Sequence, residues 1–150
     1  MPKMGIGVGL IVLNERNEVL LLLRNKNGKK ADSDMHLEGT YTLPSGKVKF
    51  GESFERAGVR KLKEETNLDT SVGDLEVVSL ASDINEFAHF ATIGFKVIKY
   101  EGDFKLKVSE EFECFGWFKL DNLPSNLCFP SKKIIDNYLN NTIYVRDLSK

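Results

Sequence analysis

Leu43-Pro44-Ser45-Gly46-Lys47-Val48-Lys49-Phe50-Gly51-Glu52 runs directly into Ser53-Phe54-Glu55-Arg56-Ala57-Gly58-Val59-Arg60-Lys61-Leu62-Lys63-Glu64-Glu65-Thr66-Asn67-Leu68, and the reading of this stretch decides the fold. Pro44, Gly46 and Gly51 mark a tight loop. Ser53 is a good helix N-cap, although Arg56 stands where a full capping box has Glu or Gln. At about 100° per residue, Lys61, Glu64 and Glu65 share one shoulder of the helix that follows. Phe54, Gly58, Val59 and Leu62 form a neighbouring apolar stripe. Such a helix buries the stripe and aims two carboxylates at a cleft beside the glycine loop. Hard cations such as Mg²⁺ take oxygen ligands from few residues and keep open positions for water and phosphate.

Paired glutamates on a helix are usually a solvated face. Here the pair comes in a longer register. Glu52 follows Gly46 after five residues and Arg60 follows Glu52 after seven more; Leu62, Glu64, Glu65 and Leu68 complete it. The register resembles the Nudix box, and seven of its nine specified positions match. Asn67 stands where that family has Gly, a mild change because Asn tolerates the left-handed backbone of a helix end. Lys61 stands where the family has a Glu that typically ligates metal or handles the attacking water. Three readings of Lys61 stay open. Its stem carries the ammonium away, it pairs with Glu64 and Glu65 and competes with Mg²⁺, or it meets a substrate phosphate.

The resemblance implies an α/β fold, an α/β/α sandwich with a mixed central sheet, in a single domain over residues 1–150. It implies hydrolysis of a nucleoside diphosphate linked to a further group, with Mg²⁺ or Mn²⁺. Glu64 and Glu65 are the expected metal ligands, and a loop carbonyl at Ser45 or Gly46 adds another oxygen. Arg60 and Glu52 are expected to support the box and orient its carboxylates; an ordinary surface ion pair is the plainer alternative. A late acid completes such sites in several relatives. Glu110 and Glu111 lead here, with Glu113 beside them, and Glu111 is the metal-site expectation.

On either side of the box, Met4 to Leu13 and Val19 to Leu23 read as a hairpin of buried strands around the turn Asn14-Glu15-Arg16-Asn17. The glycines at 5, 7 and 9 permit close approach of a ligand or close packing. Asn25 to Gly39 is a polar loop with Lys26, Lys29, Lys30, Asp32, Asp34 and His36, either a surface excursion or a lid whose lysines meet phosphates. Arg24, Gly46, Lys47 and Phe90 are the candidate substrate contacts. Thr40 to Leu43 reads as a short strand into the box. Leu75 to Leu80 and Phe90 to Tyr100 read as strands joined through Ser82 to Ala88, with Phe87, His89 and Phe90 able to face a base. Packing is the plainer role of these three. A Trp117-containing strand follows, then an amphipathic helix Ser131 to Leu139 with Ile134, Ile135 and Tyr138 inward. The tail from Asn140 reads as partly loose.

Composition bounds the partners. A chain of 150 residues with formal charge −1 has no global bias toward nucleic acid or acidic membranes, so a nucleotide has to be held by a local site. No apolar run approaches the ~20 residues of a membrane span, and the first residues lack a signal-peptide core. Cys114 and Cys128 lack metal-like spacing and read as reduced thiols in a cytoplasmic protein. Many Nudix proteins are homodimers, so a homodimer stays open, with no interface derivable from these residues.

For substrate, the size, the opening Gly-Val-Gly-Leu strand, Leu-Pro-Ser-Gly and the late Trp117 look most like the MutT-like branch. That branch cleaves nucleoside triphosphates, including modified ones, to monophosphate and pyrophosphate. No Pro or Tyr lies between Thr70 and Val97, against the patterns common in relatives acting on ADP-ribose and on diadenosine polyphosphates. A nucleotide-binding or regulatory module, its hydrolysis weakened by Lys61, is the alternative from another class.

Overall fold

The structure is a computed structural model that describes residues 2–30, 33–106 and 111–149. Seven strands and two helices are described: β1 Lys3–Ile11, β2 Glu18–Arg24, β3 Tyr41–Thr42, β4 Ser45–Lys47, α1 Phe54–Thr66, β5 Leu75–Ile84, β6 Ala88–Val97, β7 Phe112–Lys119 and α2 Phe129–Leu139. A 3₁₀ turn, Val72–Asp74, leads into β5.

A mixed four-stranded sheet runs in the order β4-β1-β6-β5, and a three-stranded sheet runs β3-β2-β7. β1 and β6 are parallel, with Gly7 opposite Thr92 and Gly5 opposite Phe90. The remaining pairings are antiparallel. The expected hairpin survives only at its tip. Asn14 N–H donates to the Glu18 carbonyl (3.0 Å) and Leu20 N–H to the Val12 carbonyl (3.0 Å), and then β1 and β2 part into different sheets. Each strand finds its ladder with a sequence-distant partner, a choice that local patterning does not encode.

Both faces of β2 and of β1 from Val8 onward are covered, which is why they read as continuous apolar runs rather than alternating ones. Val8, Leu10, Val12, Leu20 and Leu22 join Ala57, Leu62, Leu68 and Phe95 in the core beneath α1. Ile11, Val19 and Leu21 join Leu43, Val78, Ile134 and Ile135 in the core beneath α2. Helix α2 sits close because two strand positions are glycine. A Cβ on Gly9 or Gly94 would come within 2.6 Å of the Ile134 side chain.

Local signals set the ends of α1. Ser53 caps it, its side chain accepting from Arg56 N–H at 3.1 Å. Asn67 ends it in the left-handed region at φ 65°, and its N–H returns to the Lys63 carbonyl. The buried face differs from the expected stripe. Ala57, Gly58, Leu62, Glu65 and Thr66 are buried, while Phe54 is exposed and Val59 only half-buried. Phe54 is the first residue of the helix, and Glu65, one residue from its end, takes an inward position.

Three further boundaries move. The strand before the box is only Tyr41–Thr42, because Leu43 already donates its N–H to Ser131 Oγ (3.0 Å). β5 continues to Ile84, where the expected connection had begun at Ser82. The tail is partly tied: the Ile143 carbonyl accepts from Leu80 N–H (2.8 Å) and Asn137 Nδ2 (3.1 Å). Cys114 is exposed, Cys128 is buried, and both are free thiols. Among the described residues, no helix is long and apolar enough to cross a membrane.

Candidate active site

A cavity of about 310 Å³ opens between the loop before α1, the start of β6 and the segment around Ser33–Met35. Arg24, Gly46, Lys47, Lys61, Phe90 and Glu111 line it, together with Gly7, Asp34, Met35, Ser45, Thr92 and Pro130 among others. All four expected substrate contacts, Arg24, Gly46, Lys47 and Phe90, are therefore at one place. They come from β2, the box loop and β6, which no local pattern joins.

Arg60 organises the box. Its guanidinium donates to Glu52 twice (2.8 and 2.9 Å), to the Lys47 carbonyl (2.9 Å) and to Glu64 Oε1 (3.2 Å). Glu52 also accepts from the Lys49 N–H at 3.0 Å. The Arg60 hydrogen bonds, then the Lys49 N–H, hold the Glu52 carboxyl down at about 2. A bidentate fork of this kind fixes the loop on the helix, a geometry an ammonium cannot reproduce.

The paired glutamates differ in environment. Glu65 is only 5% exposed. Burial pushes its carboxyl up to about 7, against the pull of Lys61 and of the Ser45 N–H, which donates to Oε1 at 2.9 Å. Glu64 is more exposed; partial burial raises its carboxyl, but Arg60 and Lys61 outweigh that and hold it below the ordinary value.

Lys61 lies across this pair. Its Nζ is 3.2 Å from Glu64 Oε2 and 3.5 Å from Glu65 Oε2. Its stem passes over bare backbone at Gly46, where a Cβ would stand 2.2 Å from Lys61 Cε and 2.5 Å from Cδ. Of the three readings, the structure adopts the pairing with Glu64 and Glu65. This bears on metal fit. The two glutamates supply the hard oxygen donors that Mg²⁺ or Mn²⁺ takes, but the oxygens left by Arg60 and Ser45 both face the ammonium. As placed, Lys61 and a cation between Glu64 and Glu65 do not fit together. Among the described residues, no three His, Cys, Asp or Glu side chains gather into a metal-holding group.

The other charges around the cavity are also paired. Arg24 meets Glu111 Oε1 at 3.0 Å, and its buried Nε makes no hydrogen bond among the described residues. Lys47 meets Asp34 at 2.8 Å and Lys3 meets the same carboxylate at 3.1 Å. Lys47 first, with Lys3 behind it, holds Asp34 below its ordinary value. Asp34 was visible in the sequence only as one charge of a polar loop; its place at the cavity follows from the fold of that loop onto β4. Met35, Thr92 and Pro130 carried no signal at all. Lys26, Lys29 and Lys30 of the same loop are not among the cavity-lining residues.

Several aromatic and acidic candidates have other partners. His36, at φ 56°, stacks on Phe87 with ring centroids 4.0 Å apart. His89 Nε2 is 2.8 Å from Ser82 Oγ. Phe90 lines the cavity and also covers Gly5, so close packing is the purpose shown at Gly5 and Gly9, while Gly7 lines the cavity itself. Glu113 accepts weakly from Lys26 N–H at 3.4 Å. Glu110 and Asp32 lie outside the described residues.

The arrangement is that of a known family. The NUDIX domain model matches residues 3–138. The ADP-ribose pyrophosphatase of Methanocaldococcus jannaschii is 34% identical over 128 residues, covering 85% of this chain and 69% of that protein. The NAD-capped RNA hydrolase NudC of Pseudomonas aeruginosa is 31% identical over 130 residues, 87% of this chain, and the match spans only 41% of that longer protein. The MutT protein structure from Methanosarcina mazei superposes with TM-score 0.72 at 27% identity, covering 93% of each chain. The box register on a capped helix, the mixed sheet between two helices and the match over nearly the whole length agree, and the chain belongs to the Nudix hydrolase family.

Proposed function

We propose that this chain hydrolyses the phosphoanhydride of a nucleoside triphosphate, ordinary or modified, releasing the monophosphate and pyrophosphate. The observation that carries the reading is the cavity beside the box. Three cationic groups, Arg24, Lys47 and Lys61, line it, each paired with a carboxylate, and Val8, Met35, Phe90 and Pro130 supply apolar wall. Phosphates suit the first and a base the second. The buried Arg24 Nε is a donor that an acceptor oxygen would satisfy. A volume of about 310 Å³ is compact for a ligand pocket and accommodates one nucleoside end rather than two.

Phosphoanhydrides are slow to hydrolyse because their charges repel the nucleophile and the leaving oxygens need neutralising. In this chain, Arg24, Lys47 and Lys61 supply neutralising charge at fixed positions, and Arg60 holds the loop that carries Lys47. A divalent cation, Mg²⁺ or Mn²⁺, is the expected cofactor, as in the family. A small-molecule nucleotide is the expected partner, with no nucleic-acid polymer and no membrane. A homodimer and a cytoplasmic location remain expectations from the sequence.

ADP-ribose is the second reading, favoured by the 34% identity to the archaeal pyrophosphatase across most of this chain. The test is product release from ordinary and oxidised nucleoside triphosphates and from ADP-ribose, with Mg²⁺ or Mn²⁺, by wild type and Glu64→Gln. Pyrophosphate and monophosphate from a triphosphate, lost in Glu64→Gln, support the first reading. Preferential release of AMP and ribose phosphate supports the second. Nucleotide binding without turnover of any substrate sinks both and leaves a binding module.

A further inference from the structure

The four carboxylate oxygens of Glu64 and Glu65 are all spoken for. Glu64 Oε1 accepts from Arg60, and Glu65 Oε1 accepts from the Ser45 backbone. The two remaining oxygens, Glu64 Oε2 and Glu65 Oε2, are both turned to Lys61 Nζ, at 3.2 and 3.5 Å. A divalent ion between the two glutamates would need those same two oxygens. The ammonium is also well fixed. The Lys61 side chain is only 18% exposed, and its stem fills the space that the missing Gly46 side chain leaves. Withdrawing it would leave Glu65, deep in the protein, with one N–H as its hydrogen-bond partner among the described residues. Lys61 itself, and neither glutamate, is among the residues lining the cavity.

We propose that Lys61 Nζ is a built-in cation of this chain, standing between Glu64 and Glu65 so that the helix pair binds no divalent ion of its own in the nucleotide-free protein. The one charge acts in two ways. The ammonium blocks the bridging position, and it offsets negative charge that would attract a second cation. The inference deepens the proposed function, since it concerns the same site, but it is tested by metal binding and needs no turnover.

The experiment is Mn²⁺ binding to the full nucleotide-free chain, followed by loss of the free-ion paramagnetic resonance signal. Four proteins are compared: wild type, Lys61→Met, Lys61→Glu, and Lys61→Met combined with Glu64→Gln. Lys61→Met keeps the stem over Gly46 and removes only the charge. The expected result is an added or tightened Mn²⁺ site in Lys61→Met, by about tenfold or more in affinity. Lys61→Glu should bind more tightly still, and the gain should vanish when Glu64→Gln is added. Superimposable isotherms for wild type and Lys61→Met would overturn the proposal, as would a gain that survives Glu64→Gln. Thermal melts check each fold, and Lys61→Gln, also neutral and long-stemmed, replaces Lys61→Met if the latter does not fold. A protein that turns over no nucleotide but shows the expected gain retains the inference and loses the proposed function. Turnover by wild type with superimposable isotherms does the reverse.

Discussion

The backbone N–H of Ser45 donates to Glu65 Oε1 at 2.9 Å and so ties the loop before α1 to a carboxylate near the far end of that helix. The bond spans twenty residues of sequence and sits where Glu65 has almost no contact with water. Burial dominates, and it holds the carboxyl at about 7.

A pH dependence of stability follows from that value. Glu65 binds its proton more tightly in the folded state than at its ordinary value of 4.5, so its contribution is most favourable below about pH 4.5. It is lost as pH rises toward about 7 and is constant above that. Glu52 has the opposite sign: held at about 2, it stabilises above its ordinary 4.5, and this is lost as pH falls toward 2. Glu65→Gln should abolish the decline between pH 4.5 and 7, so that the stability difference between the two proteins moves in the variant's favour by on the order of 2–3 kcal/mol from pH 4.5 to pH 8. Urea titrations across pH 4–8 measure this, and parallel profiles for the two proteins would refute it.

Arg60→Lys tests the fork. A single ammonium cannot serve Glu52, Glu64 and the Lys47 carbonyl together. The expected outcome is a fall in Tm of roughly 3–6 °C and a drop in turnover of roughly 10–100-fold, because the loop loses its hold on the helix. Calorimetry and a steady-state assay read the two effects. Wild-type behaviour in both would reduce the fork to a surface pair.

Gly46→Ala places a methyl group against the Lys61 stem. The strain should cost about 1–2 kcal/mol in the wild-type background. In a Lys61→Ala background the opposing atoms are gone, and the cost should shrink by at least about 0.5 kcal/mol. A double-mutant cycle by chemical denaturation measures the coupling, and additive losses would mean that the two residues do not meet.

Phe90→Leu tests the proposed division of the cavity into a base end and a phosphate end. Loss of the ring face should raise KM by roughly tenfold while kcat stays within a few-fold. An unchanged KM with a reduced kcat would place the base elsewhere.

Much of the site was legible because its signals are local. The spacing Gly46, Glu52, Arg60, Glu64, Glu65 is a property of one loop and one helix. Ser53 as cap and Asn67 as left-handed terminus depend on neighbours within four residues. What lay out of reach depended on partners far away in sequence. Continuous apolar runs in β1 and β2 marked them as buried but did not say that β1 would lie parallel to β6 instead of completing a hairpin with β2. Helical periodicity put Phe54 on the apolar stripe, and the fold leaves it exposed at the first position of α1. Lys61 is the sharpest case. The sequence determined that a positive charge replaces a negative one in the box and left three positions for it. The fold chose among them, because Gly46 leaves room for the stem and because burial of Glu65 makes an adjacent cation favourable. Chain-local geometry is written in spacing, whereas the environment of a charge exists only once distant segments have excluded the water around it.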